Sequence, residues 1–338
     1  MRDDRGSELD LHTVAGHVDG AVRAGARDAQ HGVVVGQRGR RVDGGQFVVV
    51  EAEQPRRGGD AASGADAFGL VDPHMQPGGV SHVGQGTAMS RAVVTGAARG
   101  LGAAIADRLT ADGYDVVRLD VLPGDRDSDD AVLHCDVSDR AAVEAVADSI
   151  GPVDVLVNNA GIWRFGALED VDPADFERVL AVNLGGTFHC TQVFGRSMLA
   201  AGRGSIVNIV SIAAAAANPS VGAYSASKSG VLALTRQTAL EWGPRGVRAN
   251  AVGPGLVPTP GTGTVYDDPA VREVRAGAVP LRRLGTDADI AGVVSFLVGP
   301  DAAYVNGQVL YVDGGLSQAL MTLLPRPAGV PGPQLADD

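Results

Sequence analysis

Arg91-Ala92-Val93-Val94-Thr95-Gly96-Ala97-Ala98-Arg99-Gly100-Leu101-Gly102 is the stretch whose reading decides the fold. Ala92–Thr95 is a short apolar run without polar alternation, the pattern of a strand buried on both faces. It breaks into a glycine loop, and the loop opens a helical segment over 101–112. Glycine lets the backbone turn sharply and lie close to an anion such as a pyrophosphate. The start of the helix adds unpaired N–H groups and a positive dipole end. The spacing is G-x-x-x-G-x-G, not the G-x-G-x-x-G of the usual dinucleotide fingerprint. In a chain with 47 glycines such a triplet can also be a plain turn, so its neighbours must decide.

Outward from this loop the pattern repeats. Strand-length apolar runs occur at Ala92–Thr95, Val116–Leu119, Ala131–Cys135, Val153–Val157, Ser205–Val210, Val247–Ala251 and Gln308–Val312. Helical stretches lie between them near 101–112, 139–150, 173–201, 223–243 and 286–298. Apolar strands alternating with helices predict an α/β fold: a Rossmann-like, doubly wound parallel sheet of about seven strands, with helices on both faces, in a single domain over 89–320.

Residues 1–88 read differently. They hold 17 of the 47 glycines and five of the seven histidines, and their apolar residues follow neither a helix nor a strand period. This composition predicts a disordered N-terminal extension. It is read either as a partner-binding arm or as an upstream extension without a folded role, with Met89 as the natural start. The tail over 321–338 is proline-rich and predicts an extended segment leaving the domain.

The net charge of −12 argues against general nucleic-acid or anionic-membrane binding. No apolar run is long enough to span a bilayer, and no signal peptide opens the chain, so a cytoplasmic location is expected. The two cysteines, Cys135 and Cys190, have no metal-ligand spacing, and no metal site is expected.

Three positions carry chemistry. Asp120 ends the second strand, eighteen residues after Gly102. A carboxylate there can accept from both hydroxyls of an adenosine ribose and would repel a 2′-phosphate. It can also be a solvated turn residue. Arg99 in the glycine loop is the opposing signal, since a guanidinium can grip a 2′-phosphate. Asp120 favours NAD over NADP. Lys228 is the chain's one lysine against 27 arginines (28 Lys+Arg minus one), and it lies four residues after Tyr224. On a helix these two share a face. An ammonium about 4 Å from a phenol, at an effective dielectric near 20, supplies about 4 kcal/mol, roughly three pK units. That would bring Tyr224 toward working pH as a general base. A planar guanidinium would not replace the compact ammonium.

Taken together, Thr95 to Gly102, Asp136-Val137, Asn158-Asn159-Ala160-Gly161, Asn183, Ser211, Tyr224-x-x-x-Lys228, Pro254-Gly255 and Thr259 resemble the short-chain dehydrogenase/reductase family over about residues 91–318. The resemblance implies a catalytic set of Asn183, Ser211, Tyr224 and Lys228. Tyr224 would be the acid/base, Lys228 would lower its pKa and hold the nicotinamide ribose, and Ser211 would steady the substrate oxygen. Asn183 would bind a water that relays protons from Lys228, or be an ordinary helix-face amide. The implied cofactor-binding set is Gly96, Arg99, Gly100, Leu101, Gly102, Asp120, Asp136, Val137, Asn158, Ala160, Gly161, Tyr224, Lys228, Pro254, Gly255, Val257 and Thr259. Within it Asp136 would meet the adenine amino group, Asn158 would steady the central sheet, and Pro254 to Thr259 would hold the nicotinamide carboxamide.

Trp163, Phe165, Pro219, Val221, Leu256, Val257 and Tyr266 fall on loops beyond strand ends, where such folds bind ligands. With Ser211, residues Trp163, Val221, Leu256 and Tyr266 are the candidate substrate contacts. They suit a small hydrophobic alcohol/ketone pair, cyclic or steroid-like, or a β-ketoacyl thioester. The expected activity is NAD-dependent interconversion of a secondary alcohol and a ketone. The alternatives are an NADPH-dependent 3-oxoacyl thioester (acyl-carrier-protein) reductase and a non-enzymatic nucleotide-sensing or scaffold protein. Small residues on the helices at 173–201 and 223–243, together with the resemblance, imply a homotetramer.

Overall fold

The computed structural model of the chain describes residues 90–124 and 131–323. The expectations for residues 1–88, and for the tail beyond Leu323, lie outside the described residues.

The described residues form one parallel sheet of seven strands: β1 (Arg91–Thr95), β2 (Asp115–Asp120), β3 (Val132–His134), β4 (Val155–Asn158), β5 (Gly204–Ile209), β6 (Val247–Pro254) and β7 (Val309–Val312). Their order is β3-β2-β1-β4-β5-β6-β7, and every pairing is parallel. All seven predicted strands are present. Successive residues serve opposite faces, as a pleated strand requires. Ala92 and Val94 join one core with Val155, Val157 and Val207. Val93 joins the other with Leu156 and Ile206. Two cores explain why these strands show no polar alternation.

The helices are α1 (Gly100–Ala111), α2 (Arg140–Ile150), α3 (Pro173–Leu180), α4 (Gly186–Ala201), α5 (Tyr224–Trp242), α6 (Pro269–Ala278) and α7 (Asp287–Val298). Ile105 and Leu109 of α1 pack with Ile290, Val294 and Leu297 of α7 on the first face. Val143 of α2 and Cys190, Phe194 and Met198 of α4 cover the second. Each fully buried Leu, Ile or Phe contributes about 1.5–3 kcal/mol.

Two differences from the sequence expectation matter for the site. The predicted helix over 173–201 is interrupted by a π-helical turn, Ala181–Gly185, which carries Asn183. The second is α6, which was not predicted. None of its residues is buried, so it lacks the continuous apolar face that reveals a core helix. Asp268 caps it and Pro269 starts it, the one local signal it does carry.

The strand order reverses between β1 and β4. In a doubly wound sheet the crevice at that reversal, beyond the carboxyl ends of the strands, is the natural ligand site.

Candidate active site

A cleft of about 380 Å³ opens at this reversal. Its floor is the glycine loop. Gly96 and Gly100 hold φ of 66° and 59°, which the Cβ of other residues disfavours. Gly102 has no room for a side chain, because a Cβ would overlap the Gly96 carbonyl and sit 2.5 Å from Asn159 Nδ2. Asn159 staples the loop from the next strand, donating from Nδ2 to the carbonyls of Thr95 (3.0 Å) and Gly96 (2.9 Å). In return Thr95 Oγ1 accepts from the amides of Asn159 and Ala160, both at 3.0 Å.

The helix that starts here is open to an anion. Side chains of Asp139, Asp172, Asp268 and Thr286 cap α2, α3, α6 and α7. At α1 the capping residue is Arg99, which makes no side-chain capping bond, and the first turn holds no acidic residue. Its free amides and dipole end face the cleft, as a pyrophosphate requires. Asp120 stands beside the loop, its carboxylate accepting from the amides of Ala98 and Leu122 at 3.0 Å each. A carboxylate has about four acceptor sites, so two remain for a ligand. These residues fit a dinucleotide.

The reactive end lies past β5. Ser211 is extended, and its Oγ accepts from the Ala213 amide at 3.1 Å. Tyr224 begins α5 on the same wall, with Lys228 one turn later. Burial raises the Tyr224 phenol above its ordinary value, opposed by a hydrogen bond with Ser211. Burial also lowers Lys228, to about 8. Its Nζ donates to the Ile209 carbonyl at 2.8 Å and lies 5.8 Å from the centre of the Tyr224 ring. The sequence expectation of a phenol pulled down by its ammonium is therefore corrected for this state. Burial disfavours the charged form of each group, and for the phenol only the Ser211 hydrogen bond opposes it.

The family profile described as Enoyl-(Acyl carrier protein) reductase matches residues 96–317. The 2-(R)-hydroxypropyl-CoM dehydrogenase of Xanthobacter autotrophicus is 40% identical over 245 residues, spanning 67% of this chain and 98% of that protein. A 3-oxoacyl-[acyl-carrier-protein] reductase of Staphylococcus aureus is 36% identical over 242 residues, 67% of this chain and 97% of its own. The solved gluconate 5-dehydrogenase of Burkholderia cenocepacia, in complex with NADP and tartrate, superposes with a TM-score of 0.64 at 35% identity, covering 68% of this chain and 96% of that one.

The chain belongs to the short-chain dehydrogenase/reductase family. It is an oxidoreductase that acts on CH–OH groups with a nicotinamide dinucleotide.

Most residues expected at the site of a short-chain dehydrogenase/reductase do line this cleft: Gly96, Arg99, Gly100, Leu101, Gly102, Asp120, Asp136, Val137, Ala160, Gly161, Trp163, Ser211, Tyr224, Lys228, Pro254, Gly255, Val257 and Thr259. Five do not. Asn158 is buried beneath the cleft and donates to Thr191 Oγ1 (3.1 Å) and Asn208 Oδ1 (2.8 Å), tying β4 to β5 and α4. It braces the sheet and does not face the ligand. Asn183 is also buried. Its Oδ1 accepts from the Ile162 amide (2.8 Å), and its Nδ2 donates to the Ile162 carbonyl (2.9 Å) and to Ser227 Oγ (3.0 Å). Both amide donors are used by the protein, so Asn183 anchors the loop after β4 and its side-chain N–H groups are not available to hold a relay water. Val221 bridges Gly166 instead of facing the cleft. The Leu256 carbonyl accepts from the Gly285 amide, and Tyr266 is buried under Arg275, whose guanidinium lies 5.1 Å from its ring centre. Of the other aromatic candidates, Phe165 is 70% exposed and outside the cleft lining.

The sequence reading also missed lining residues. Asn159 had a legible signal, adjacent to Asn158 in the same motif. Gly261 and Thr262 continue the loop already assigned through Thr259, whereas Arg178 and Val182 had no signal, since only folding brings α3 and the π-helical turn to the cleft.

Proposed function

We propose that this enzyme interconverts a small secondary alcohol and its ketone, prefers NAD to NADP, and uses Tyr224 as the general acid/base. The observation that carries the reading is the convergence of Ser211, Tyr224 and Lys228 on the same cleft as the uncapped start of α1. A dinucleotide held in this cleft would supply the hydride for carbonyl reduction and accept it in alcohol oxidation. In carbonyl reduction the Tyr224 hydroxyl donates its proton to the substrate oxygen, and a phenol raised by burial is in the protonated form for that step. Ser211 Oγ lies beside it to hydrogen-bond the same oxygen as charge develops. In alcohol oxidation the proton returns to Tyr224. Lys228, lowered to about 8, is still mostly an ammonium at neutral pH and favours the phenolate. Gly161 lies against this pair; a Cβ there would come 3.4 Å from Lys228 Nζ.

NAD preference is supported by Asp120, whose carboxylate is fixed in the cleft by two backbone amides and would repel a 2′-phosphate. Arg99 lines the same cleft and pulls the other way. The substrate wall includes Ile162, Trp163 and Val210, which suits a small, partly apolar alcohol. A second reading, an NADPH-dependent 3-oxoacyl thioester reductase, draws on the 36% identical relative of that name. A homotetramer is part of the proposal. It is supported by Phe188 of α4 and Leu240 of α5, which are 43% and 78% exposed.

The test is a panel of secondary alcohols, ketones and a β-ketoacyl thioester, followed by nicotinamide absorbance with NAD(H) and NADP(H). The expected result is turnover of a small alcohol/ketone pair with NAD(H), lost about hundredfold or more in Tyr224→Phe. A tenfold NADP(H) preference would overturn the cofactor assignment. Thioester turnover exceeding every ketone would establish the second reading. Dinucleotide binding without turnover on any substrate would point to the sensor alternative.

A further inference from the structure

Arg178 is one of the lining residues that no motif announced. It projects from α3 into the end of the cleft farthest from Tyr224. Its Nη1 donates to Ser138 Oγ at 2.8 Å and its Nη2 to Asp136 Oδ2 at 3.0 Å. Asp136 Oδ1 accepts from the Ser138 amide (2.9 Å) and from Ser138 Oγ (2.7 Å). The four groups close a ring of hydrogen bonds that leaves the Asp136 carboxylate one orientation.

We propose that Arg178 is a positioning and specificity residue for the adenine end of the dinucleotide, holding Asp136 in register and forming one wall of the adenine slot. The inference rests on the dinucleotide reading of the cleft.

Three observations carry it. First, placement: β3 and β5 are separated by four inter-strand steps of about 4.8 Å, roughly 19 Å in all. Asp136 follows β3 and Ser211 follows β5, so Arg178 stands at the opposite end from the chemistry. Second, charge: Asp120 and Asp136 both line a cleft that must receive an anionic pyrophosphate, and a guanidinium on Asp136 cancels one of those repulsions. Burial opposes ionisation of Asp136, but Ser138 and Arg178 prevail and hold its carboxyl below the ordinary value. Third, exposure: the Arg178 and Asp136 side chains are 50% and 34% exposed, and half-exposed pairs add little to stability. A fold-stabilising role does not account for a two-pronged guanidinium clamp set in the lining of a ligand cleft.

The test uses ADP, which carries the adenosine and pyrophosphate without the nicotinamide. Its affinity for the full chain is measured by calorimetry in wild type, Arg178→Gln and Arg178→Lys. Gln should weaken ADP about tenfold. Lys, which restores charge but not the planar two-pronged contact, should recover only part of that loss. In turnover assays KM for the dinucleotide should rise in Arg178→Gln while kcat changes less than twofold. ADP affinity within twofold of wild type in both variants would overturn the proposal. A fall in kcat matching the rise in KM would also overturn it, by indicating general disruption. If wild type itself fails to bind ADP, the dinucleotide reading falls instead, so the two failures are distinguishable.

Discussion

The Lys228 ammonium donates to the Ile209 carbonyl while lying 5.8 Å from the centre of the Tyr224 ring. The cation is thus fixed by the end of β5, the strand that delivers Ser211, and not by the phenol it serves. One buried hydrogen bond thus ties the helix that carries Tyr224 and Lys228 to the strand that leads into Ser211.

Lys228→Arg should therefore be severe. Lys228 is 5% exposed, and the space beside Gly161 is already filled. A guanidinium cannot take the same carbonyl without displacing the phenol. The kcat at saturating dinucleotide should fall by roughly 10²–10⁴, the usual worth of acid–base catalysis. Initial rates within tenfold of wild type would show that a cation of any shape suffices.

The same burial gives a signed pH dependence. The folded pKa of Lys228, about 8, lies below its ordinary 10.5, so the unfolded chain binds the extra proton between those values. The penalty for burying the charge is fully present below about pH 8. It fades as pH rises toward 10.5, where neither state is protonated. Without dinucleotide, the melting temperature of Lys228→Met relative to wild type should be highest near pH 7. That advantage should shrink as pH is raised from 8 to 10. A difference constant across this range would mean that Lys228 is not desolvated as the structure has it.

Trp163 and Gly261 meet from opposite sides of the cleft mouth, and a Cβ on Gly261 would lie 2.5 Å from Trp163 Cη2. Gly261→Ala should displace the indole, cost about 1–3 kcal/mol where the contact is well packed, and change KM for the alcohol. Adding Trp163→Ala should relieve much of that cost. A double-mutant cycle with no coupling would show that the contact does not shape the site.

Asn158→Ala should act on stability. It removes the donor to Asn208 Oδ1 and Thr191 Oγ1 in a chain that continues from Asn208 Nδ2 to Thr235 Oγ1. Leaving buried acceptors unpaired costs about 1–3 kcal/mol. Denaturant midpoints should fall accordingly. ADP affinity at a temperature where the variant is folded should remain within a fewfold, because Asn158 does not line the cleft. A selective loss of ADP binding would restore it to the ligand-contacting set.

Asp120→Asn keeps the size of the side chain but removes the charge and one of the two oxygens that accept from Ala98 and Leu122, since an amide nitrogen only donates. KM for NAD should rise, and the NAD-to-NADP preference, measured as the ratio of kcat/KM values, should drop by about an order of magnitude. An unchanged ratio would shift responsibility to Arg99.

Features that depend on neighbours along the chain were legible in the order of the amino acids. Apolar runs without alternation specified seven strands, of which the central β1, β4, β5 and β6 are buried almost throughout. Glycines 96, 100 and 102 specified a loop that could lie against an anion, and the four-residue interval from Tyr224 to Lys228 specified a shared helix face. Tertiary structure alone decided how those parts are used. Asn183 read as a relay residue or an ordinary helix-face amide, but it sits in a π-helical turn and its two donors go to the Ile162 carbonyl and Ser227 Oγ. Tyr266 and Leu256 looked like pocket residues, yet neither lines the cleft, and Tyr266 is buried under Arg275. Arg178 reaches Asp136 across 42 residues of chain, a pairing no local pattern encodes. The protonation of the catalytic pair was decided the same way: spacing set the charges near each other, but desolvation by the packed surroundings determined which way each pKa moved.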